Sequence, residues 1–552
     1  MKKIAYIFLM FLVSVILLNL SLTAGEIRTI ARNHEYVQLK GYNFEQFANE
    51  QVPIDQLYLY AYRAGANQWE PIPFQFDELD TTVIGTDTTL SYFPLDNHNG
   101  LLDKRDEFVF MIRDFGDEAN TDLWIDDASA SENPRYQIVV TDTLNGEEKK
   151  GWVYLFRSTN SLVKSTKRYV EYNPELDKVS SSNYEIAYND EGNLIDFAVK
   201  PEGGGAGNDF LNKNQFRYSG KLFGLPFEWS DESLVKDTSD YVSAPIEYKN
   251  TGPIRVIRLL HTRLLLEGLA SFPIPFTSWY YSTFYRFSKK VPIEDVIKTE
   301  LIRLSFNLDE DAIGMKFFSS DSTGEFTNQN IPIDGVGEND GIVDSLSRKK
   351  PFWTMATGNP GTIYTLNDVN YLGNENYSWR LYYLDDMTGE ENAIGDHGVI
   401  FTAYKLNNEI QSKNNVFLLP ANFPVDSARI LFANYNAPTV RSIHYQMQTS
   451  VATEEDGTLP KNFKLHPTYP NPFNALTTIS FDLPSRENVR LDIFNIQGSY
   501  VTTLTDKKFA AGFHQLQWDG RNSSGALAGS GVYFIKIKTD RHFATVKTIL
   551  LK

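Results

Sequence analysis

The stretch HPTYPNPFNALTTISFDLP, residues 466–484, joins a stiff lead-in to a strand pattern near the C-terminal end of the chain. Pro470 and Pro472 fix their own φ angles and hold the residues before them in an extended conformation. The run that follows, LTTISFDLP (476–484), alternates apolar and polar side chains, which is typical of a half-buried strand. The stretch therefore predicts the start of a separate β-domain.

Five further strand patterns follow this one, each bounded by residues that tolerate turns. They are NVRLDIFNIQG (488–498), SYVTTLTD (499–506), GFHQLQWDG (512–520), SGVYFIKIKTD (530–540) and HFATVKTILLK (542–552). Six strands in about 90 residues is the spacing of a small antiparallel sandwich. We therefore predict an Ig-like antiparallel β-sandwich over residues 463–552, preceded by an acidic linker with Gly and Pro at 451–462.

Several motifs of this region occur in a fixed order: YPNPFN, ISFDLP, VRLDIFNIQG, AAGFHQLQWDGRNSSGALAGSGVYFIKI and a terminal ILLK. Together they resemble the type A C-terminal sorting domain of the type IX (Por) secretion system, and they are similar to the Ig-like domain of flagellar hook-capping proteins. The resemblance covers roughly the last 90 residues, with the turn spacing of an Ig-like sandwich. The sorting motif consists of Tyr469, Pro470, Asn471, Pro472, Phe473 and Asn474.

The resemblance implies a route and a partner for the protein. Members of the family cross the inner membrane with a signal peptide and then cross the outer membrane through the type IX secretion machinery. The sorting domain is often removed, and the cargo is released or attached to the cell surface. We therefore expect a secreted protein or one on the outer-membrane surface, which passes through the periplasm.

The N-terminal end fits that route independently of the resemblance. Lys2 and Lys3 precede an apolar run from Ile4 to Leu20 and then a region of small residues, which is the layout of a secretory signal peptide. We expect residues 1–24 to be removed. The alternative is an uncleaved membrane anchor, since the apolar run is nearly long enough to span a bilayer. After cleavage, we expect no transmembrane span in the rest of the chain.

Composition and charge exclude several kinds of function. The chain has 552 residues, a net charge of −18 and no cysteine. A negative charge of this size repels phosphate backbones, so we expect no nucleic-acid partner. The absence of cysteine excludes disulfides, thiolate metal sites and cysteine nucleophiles. Acidic side chains can instead hold calcium, or keep a surface soluble.

The body of the chain is predicted to be mostly β, as a large body of one or two β-sandwiches. We place a division between 25–245 and 246–450, because a polar, punctuated segment lies there. QLYLYAYR (56–63) alternates like a strand. The segments 254–268 and 294–308 are long enough for helices, but the β-branched residues at the start of the first favour a strand.

Oxygen-bearing side chains surround Gly100 in LDNHNGLLDKRDEFVF (95–110), which suggests a calcium loop. The candidate ligands are Asp96, Asn97, Asn99, Asp103, Asp106 and Glu107. The pattern departs from a D-x-[DN]-x-[DN]-G loop because Leu95 occupies the first ligand position, so a polar hairpin turn is the alternative. A second acidic, glycine-rich turn at 334–345 contains Asp334, Glu338, Asp340 and Asp344.

Consecutive aromatic residues in SFPIPFTSWYYSTFYRF (271–287) are the candidate glycan-binding group. Aromatic rings can stack on sugar faces or fill a sandwich core. Side chains alternate along a strand, so Trp279, Tyr280 and Tyr281 cannot all point inward. We expect at least one of these rings to be exposed or to cover a sheet edge.

No motif identifies a catalytic site in the body. The sequence contains no H-E-x-x-H and no G-x-S-x-G, which argues against a zinc hydrolase and an α/β-hydrolase. We expect a glycan-binding or surface protein. The alternative is a polysaccharide lyase or glycoside hydrolase with dispersed carboxylate, Tyr, His or Arg residues. The candidates for convergence in one pocket are Asp77, Asp114, Arg255 and His397.

Overall fold

The computed structural model describes most of the body and most of the C-terminal domain. The described residues are 26–78, 80–81, 92–93, 99–189, 194–222, 225–229, 234–236, 248–266, 270–293, 297–321, 323–337, 351–371, 377–389, 391–403, 408–448, 460, 462–469, 471–474, 476–523 and 526–551. The predicted signal peptide lies outside them, as does nearly all of the predicted linker. Among the helices of these residues, none combines the length and apolar character needed to cross a bilayer.

The first part of the chain contains nine strands and two short helices within the described residues. The strands are β1 (Tyr36–Lys40), β2 (Leu57–Arg63), β3 (Gln68–Pro71), β4 (Phe74–Asp77), β5 (Asp80–Thr81), β6 (Tyr92–Phe93), β7 (Glu107–Met111), β8 (Arg135–Asp142) and β9 (Lys149–Arg157). The helices are α1 (Glu45–Asn49) and α2 (Ala128–Glu132).

The middle of the chain is built almost entirely of strands, many of them 10 to 12 residues long. They are β10 (Val170–Asn173), β11 (Lys178–Ser181), β12 (Tyr184–Tyr188), β13 (Leu194–Val199), β14 (Leu211–Leu222), β15 (Leu225–Trp229), β16 (Leu234–Lys236), β17 (Tyr248–Thr251), β18 (Val256–Leu266), β19 (Ala270–Tyr280), β20 (Phe284–Ile293), β21 (Ile297–Leu308), β22 (Lys316–Ser320), β23 (Phe326–Pro332), β24 (Phe352–Thr357), β25 (Thr362–Tyr371), β26 (Tyr377–Asp386), β27 (Ala393–Ala403) and β28 (Asn408–Leu419). Helix α3 (Val425–Asn436) and strand β29 (Val440–Gln446) follow.

The first sandwich has a five-stranded sheet in the order β29–β8–β9–β2–β3 and a three-stranded sheet, β1–β7–β4. Leu57, Leu59 and Ala61 of β2 point into its core, as the alternation predicted. Burying a leucine side chain contributes about 1.5–3 kcal/mol. The tyrosines of the opposite face of β2 are buried too, under a second cluster that includes Trp124.

The second part of the body contains a ten-stranded sheet and a five-stranded sheet. The long path runs β16–β18–β19–β20–β28–β25–β24–β22–β23, with β17 paired to β18, and the smaller sheet runs β15–β14–β21–β27–β26. A four-stranded sheet, β10–β11–β12–β13, adds to the same core. Strand β18 occupies most of the segment 254–268, so the strand favoured there is confirmed. Strand β21 occupies the described part of 294–308, for which helix and strand were both open.

Strand pairing crosses the division predicted between 245 and 246. Strand β14 of the first half pairs with β21 of the second, and β29 returns to pair with β8. The three-stranded sheet of the first sandwich and α3 both pack on the outer face of the ten-stranded sheet. Val109 of β7, Phe432 of α3 and Tyr364 of β25 share one core cluster there. The two parts of the body therefore meet at an extensive contact.

The C-terminal domain has all six predicted strands and one short additional strand. They are β30 (Lys464–Leu465), β31 (Thr477–Leu483), β32 (Glu487–Asn495), β33 (Tyr500–Phe509), β34 (Gly512–Trp518), β35 (Gly531–Thr539) and β36 (Phe543–Leu550). Two antiparallel sheets, β30–β31–β34 and β33–β32–β35–β36, enclose a core of their own. The mostly β fold class and the small C-terminal sandwich are thus confirmed.

Candidate functional site

A cavity of about 660 Å³ lies where the first sandwich meets the outer face of the ten-stranded sheet. Its walls come from residues 31–36 and Gln38, which lead into and begin β1, from β20, β25 and β28, and from α3 with the segment that leads to β29. Apolar and aromatic side chains provide much of the lining: Tyr36, Phe284, Leu366, Phe417, Phe423, Ile430, Leu431 and Tyr435. We call this space the interdomain cavity.

Helix α3 presents one face to the sheet and another to the interdomain cavity. Ala428 and Phe432, four residues apart, are buried against the sheet. Ser427, Leu431 and Asn434 lie on a neighbouring face of the helix and line the cavity. Side chains three or four residues apart share a helix face, so the sequence of α3 itself fixes which residues face the cavity.

Arg286 of β20 is a half-buried cation in the cavity wall. Its Nε donates a hydrogen bond to Asn415 Oδ1 at 2.8 Å, and its guanidinium lies 5.6 Å from the centre of the Tyr36 ring. Across the described part of the chain, no carboxylate forms an ion pair with it, and its two Nη groups have no hydrogen-bond acceptor.

Arg441, at the start of β29, is an exposed cation at the rim of the same cavity. Its Nη1 donates to the main-chain oxygen of Gln38 at 2.8 Å. Glu35 and Tyr36 are close enough to interact with it electrostatically. Within the residues that the structure covers, however, Arg441 has no ion-pair partner.

Arg32, the third arginine of the cavity, is fully engaged by the protein. Its Nη2 lies 2.6 Å from Asp142 Oδ1, and its Nη1 lies 3.1 Å from Glu35 Oε1. It also donates to the main-chain oxygens of Asn434 and Ala437 at the C-terminal end of α3. Cations stabilise that end of a helix. Arg32 therefore joins α3 to the first sandwich.

A stack of rings backs the cavity wall. The Tyr36 ring lies 4.3 Å from that of Tyr281, nearly parallel to it. Tyr281 in turn accepts a hydrogen bond from Arg255 at 3.3 Å. Arg255 is completely buried and pairs with Asp77 at 2.6 Å and with Glu107. This ion cluster fixes Tyr281, and through it Tyr36, in one position.

His34 is neutral at neutral pH. Burial, with the nearby charge of Arg113, lowers the pKa of His34 to about 4. Its Nδ1 forms a hydrogen bond with Thr283 Oγ1 at 3.1 Å. The ring thus adds a polar but uncharged group to the cavity lining.

The catalytic candidates do not converge in one pocket. Asp77 and Arg255 meet, but each neutralises the other in the buried ion cluster. Asp114 accepts hydrogen bonds from the Tyr169 hydroxyl at 2.6 and 2.7 Å. His397 is completely buried beside Phe306 and Phe317, and its pKa is lowered to about 4.

The three consecutive aromatic residues lie in and around the core. Tyr280 and Tyr281 are 0% and 1% exposed, and Trp279 is partly buried against the same cluster as Tyr281. Tyr281 lies just beyond the end of β19, so the alternation of the strand does not force it outward. Ligand binding by these rings stays a prediction, and the burial of Tyr280 and Tyr281 weighs against it.

The calcium ligands predicted around Gly100 are only partly described, since Asp96 and Asn97 lie outside the described residues. Asn99 Oδ1 accepts from the Leu101 amide and Asp106 Oδ2 from the Asp103 amide, both at 2.8 Å. Glu107 is held by Lys40 at 2.7 Å and by Arg255. The calcium site stays a prediction for this loop.

The second acidic turn is less completely described. Asp334 Oδ1 accepts from the Val336 amide at 3.0 Å, and the other acidic residues named for this turn lie outside the described residues. Among the described residues, no group of three or more His, Asp or Glu side chains is placed to hold a metal ion.

The described residues of the predicted sorting motif fasten strand β36 to the start of the C-terminal domain. The Asn471 side chain donates to the Lys547 oxygen at 2.9 Å and accepts from the Ile549 amide at 2.8 Å. The Phe473 amide donates to the Ile549 oxygen, and the Leu551 amide donates to the Phe473 oxygen, both at 2.8 Å. Phe473 is buried, whereas Asn471, Pro472 and Asn474 are exposed. Pro470 lies outside the described residues.

Arg286 and Arg441 carry no sign of a binding site in the sequence. Each stands in a strand-like segment, YRFSKK or TVRSIHY, and neither segment contains an acidic residue. The unusual property of both is that no acidic side chain among the described residues forms an ion pair with them. No local pattern carries that information, because the residues around each arginine come from distant parts of the sequence.

Comparison with known families identifies the C-terminal domain. The family model for the FlgD Ig-like domain matches residues 473–542. That match confirms the predicted similarity to the hook-capping Ig-like domain, over a small part of the chain. No curated protein matches the sequence.

Two solved structures from Porphyromonas gingivalis resemble parts of the chain weakly. PorZ, described as an essential surface component of the type-IX secretion system, is 10% identical with a TM-score of 0.13, over 70% of this chain and 51% of PorZ. Dimeric latent PorU is 12% identical with a TM-score of 0.15, over 82% of this chain and 36% of PorU. The chain thus spans about half of PorZ and about a third of PorU. Similarity this low supports no argument about fold or function.

Proposed function

We propose that this protein is a cargo of the type IX secretion system that acts outside the cell or on the outer-membrane surface, where its body binds glycans. The observation that carries the export proposal is the Ig-like domain at the end of the chain, with the YPNPFN segment (469–474) fastened to its last strand. A sorting signal has to be displayed as a folded surface, and this domain has a core of its own.

The exposed part of the motif suits recognition by another protein. Asn471, Pro472 and Asn474 face solvent, while Phe473 anchors the segment in the domain core. The segment is therefore both rigid and accessible. Rigid surfaces lose little conformational entropy on binding, which favours recognition by a receptor.

Deletion of residues 463–552 tests the export proposal in a bacterium that has a type IX system. The truncated protein should accumulate in the periplasm, whereas the full chain should appear on the surface or in the medium. Cell fractionation with immunoblotting measures the distribution, and a strain without the type IX machinery is the control. Surface delivery of the truncated protein, equal to that of the full chain, would refute the proposal.

The interdomain cavity supports the glycan-binding part of the proposal. It combines aromatic walls with hydrogen-bond donors, and its volume lies within the range of about 300–1,000 Å³ that is typical of small-molecule sites. Asp77, Asp114 and His397 are each buried and bound to other groups of the protein, which favours binding over catalysis. Release of reducing sugar from a bound glycan would instead favour the lyase or hydrolase alternative.

A further inference from the structure

The charge around the interdomain cavity is opposite to that of the whole protein. The chain carries a net charge of −18, yet the charged residues that line the cavity are three arginines and one glutamate. Clefts lined by one sign of charge concentrate ligands of the other sign. The cavity therefore attracts anions in a protein that otherwise repels them.

Two of the three arginines have N–H groups that find no hydrogen-bond acceptor among the described residues. Arg32 is fully occupied by Asp142, Glu35 and main-chain oxygens. Arg286 keeps both Nη groups without an acceptor, and Arg441 keeps Nε and Nη2 without one, as far as the described residues extend. Arg286 is partly buried, and a partly buried cation without a counter-ion costs free energy, so the site is complementary to a ligand that supplies one.

The shape of the free donors indicates the type of anion. A guanidinium presents its N–H groups as a planar fork that matches the two oxygens of a carboxylate. Tyr36 lies within reach of both arginines: its ring is 5.6 Å from the Arg286 guanidinium, and it interacts electrostatically with Arg441. The apolar side chains of Phe417 and Leu431 line the same space, next to these polar groups.

We propose that the interdomain cavity binds an acidic saccharide, with a uronate carboxylate held by Arg286 and Arg441 and the sugar ring packed against the aromatic and apolar wall. This inference rests on the glycan binding proposed above and specifies its ligand class. A neutral sugar would cover the free N–H groups of both arginines without supplying a counter-ion, and donors that a ligand buries unpaired weaken binding.

Calorimetry on the full chain tests this inference with trimers of galacturonate, glucuronate and mannuronate. The controls are the same trimers with the carboxylates reduced to alcohols, and a sulfated trimer. We expect at least one uronate trimer to bind, its reduced form to bind at least about ten-fold more weakly, and added salt to weaken the binding. Binding of the sulfated trimer alone would overturn the assignment to a carboxylate.

Arginine variants locate the binding. Arg286→Gln and Arg441→Gln should each raise the Kd for the uronate at least about ten-fold, because each removes a charge-assisted contact. Arg429→Gln is the matched control, since Arg429 lies on α3 outside the cavity lining and pairs with Glu325. Arg441 is exposed, so its variant keeps the test valid if Arg286→Gln does not fold.

The outcomes separate this inference from the proposed function. Unchanged uronate affinity in both arginine variants, or preference for the reduced trimers, would overturn the inference while glycan binding stands. Failure of the full chain to bind any acidic or neutral glycan would overturn both.

Discussion

Asn471 connects two ends of the C-terminal domain that are 76 to 78 residues apart. Its amide group bridges the backbone of β36 on both sides of Thr548, and the backbone of Phe473 continues the contact. The YPNPFN segment thus acts as a clasp for the last strand. Strand β36 lies at the edge of its sheet, so these hydrogen bonds secure a strand that pairs with only one neighbour in that sheet.

Replacing Asn471 should loosen this last strand. Asn471→Ala removes two hydrogen bonds, each with a net contribution of about 0.5–1.5 kcal/mol. Hydrogen–deuterium exchange of a peptide that covers β36 should become faster. Asn474→Ala is the matched control, since Asn474 is exposed, and within the described chain its side chain makes no hydrogen bond. Equal exchange in the two variants would contradict the clasp.

At the scale of elements, the buried ion cluster joins strands β4 and β7 to the residue just before β18. Arg255, Asp77 and Glu107 are all nearly inaccessible to solvent, and Lys40 approaches Glu107 from the edge of the cluster. Burial alone would raise the pKa of Glu107, but Arg255 and Lys40 outweigh it and hold the pKa below its usual value. The contact between the two parts of the body therefore depends on an ionised Glu107.

This dependence predicts the effect of pH on stability. A carboxylate with a lowered pKa contributes its full stability above its unfolded pKa of about 4.5, and that stability is lost as the pH falls through the folded pKa. Glu107→Gln should therefore destabilise the protein most at pH 6 and progressively less towards pH 3. Urea unfolding across this range measures the difference.

The control for this prediction is Glu70→Gln. Glu70 is about half exposed and pairs with Arg63, so its removal should matter little at any pH. A destabilisation by Glu107→Gln that stays constant from pH 6 to pH 3 would show that its charge is not the cause.

Elements whose pattern is local could be predicted from the sequence. Val489, Leu491 and Ile493 alternate in the sequence and are buried in the core of the C-terminal domain. The segment 254–268 allowed two interpretations, since its apolar residues suit a helix or a buried strand. Strand β18 pairs with β19 along its whole length, which makes it a strand rather than a helix. The sequence of β18 alone does not reveal that partner.

Features that depend on distant residues could not be predicted. Strand β29 completes the first sandwich although most of the body separates it from β8 in sequence. The same return of the chain brings Arg441 to Gln38. The interdomain cavity therefore depends on the topology of the chain. Of the aromatic triplet that the sequence favoured, Tyr281 contributes to the cavity through its stacking contacts with Tyr36 and Phe284.

On the scale of the whole molecule, the two proposed functions, export and ligand binding, belong to two separate regions. The C-terminal domain has its own core and touches the body through contacts such as that of Tyr469 with His444. The interdomain cavity belongs entirely to the body. Removing the domain should therefore change the location of the protein and leave its ligand binding intact.

Transfer of the C-terminal domain to a reporter tests the central claim most directly. Residues 1–24 and 463–552 would flank a fluorescent protein that folds in the periplasm, expressed in cells with and without a type IX system. We expect the reporter on the surface or in the medium only when the system is present, as measured by fractionation. Retention of the reporter in the periplasm of both strains would contradict the claim that this domain directs export.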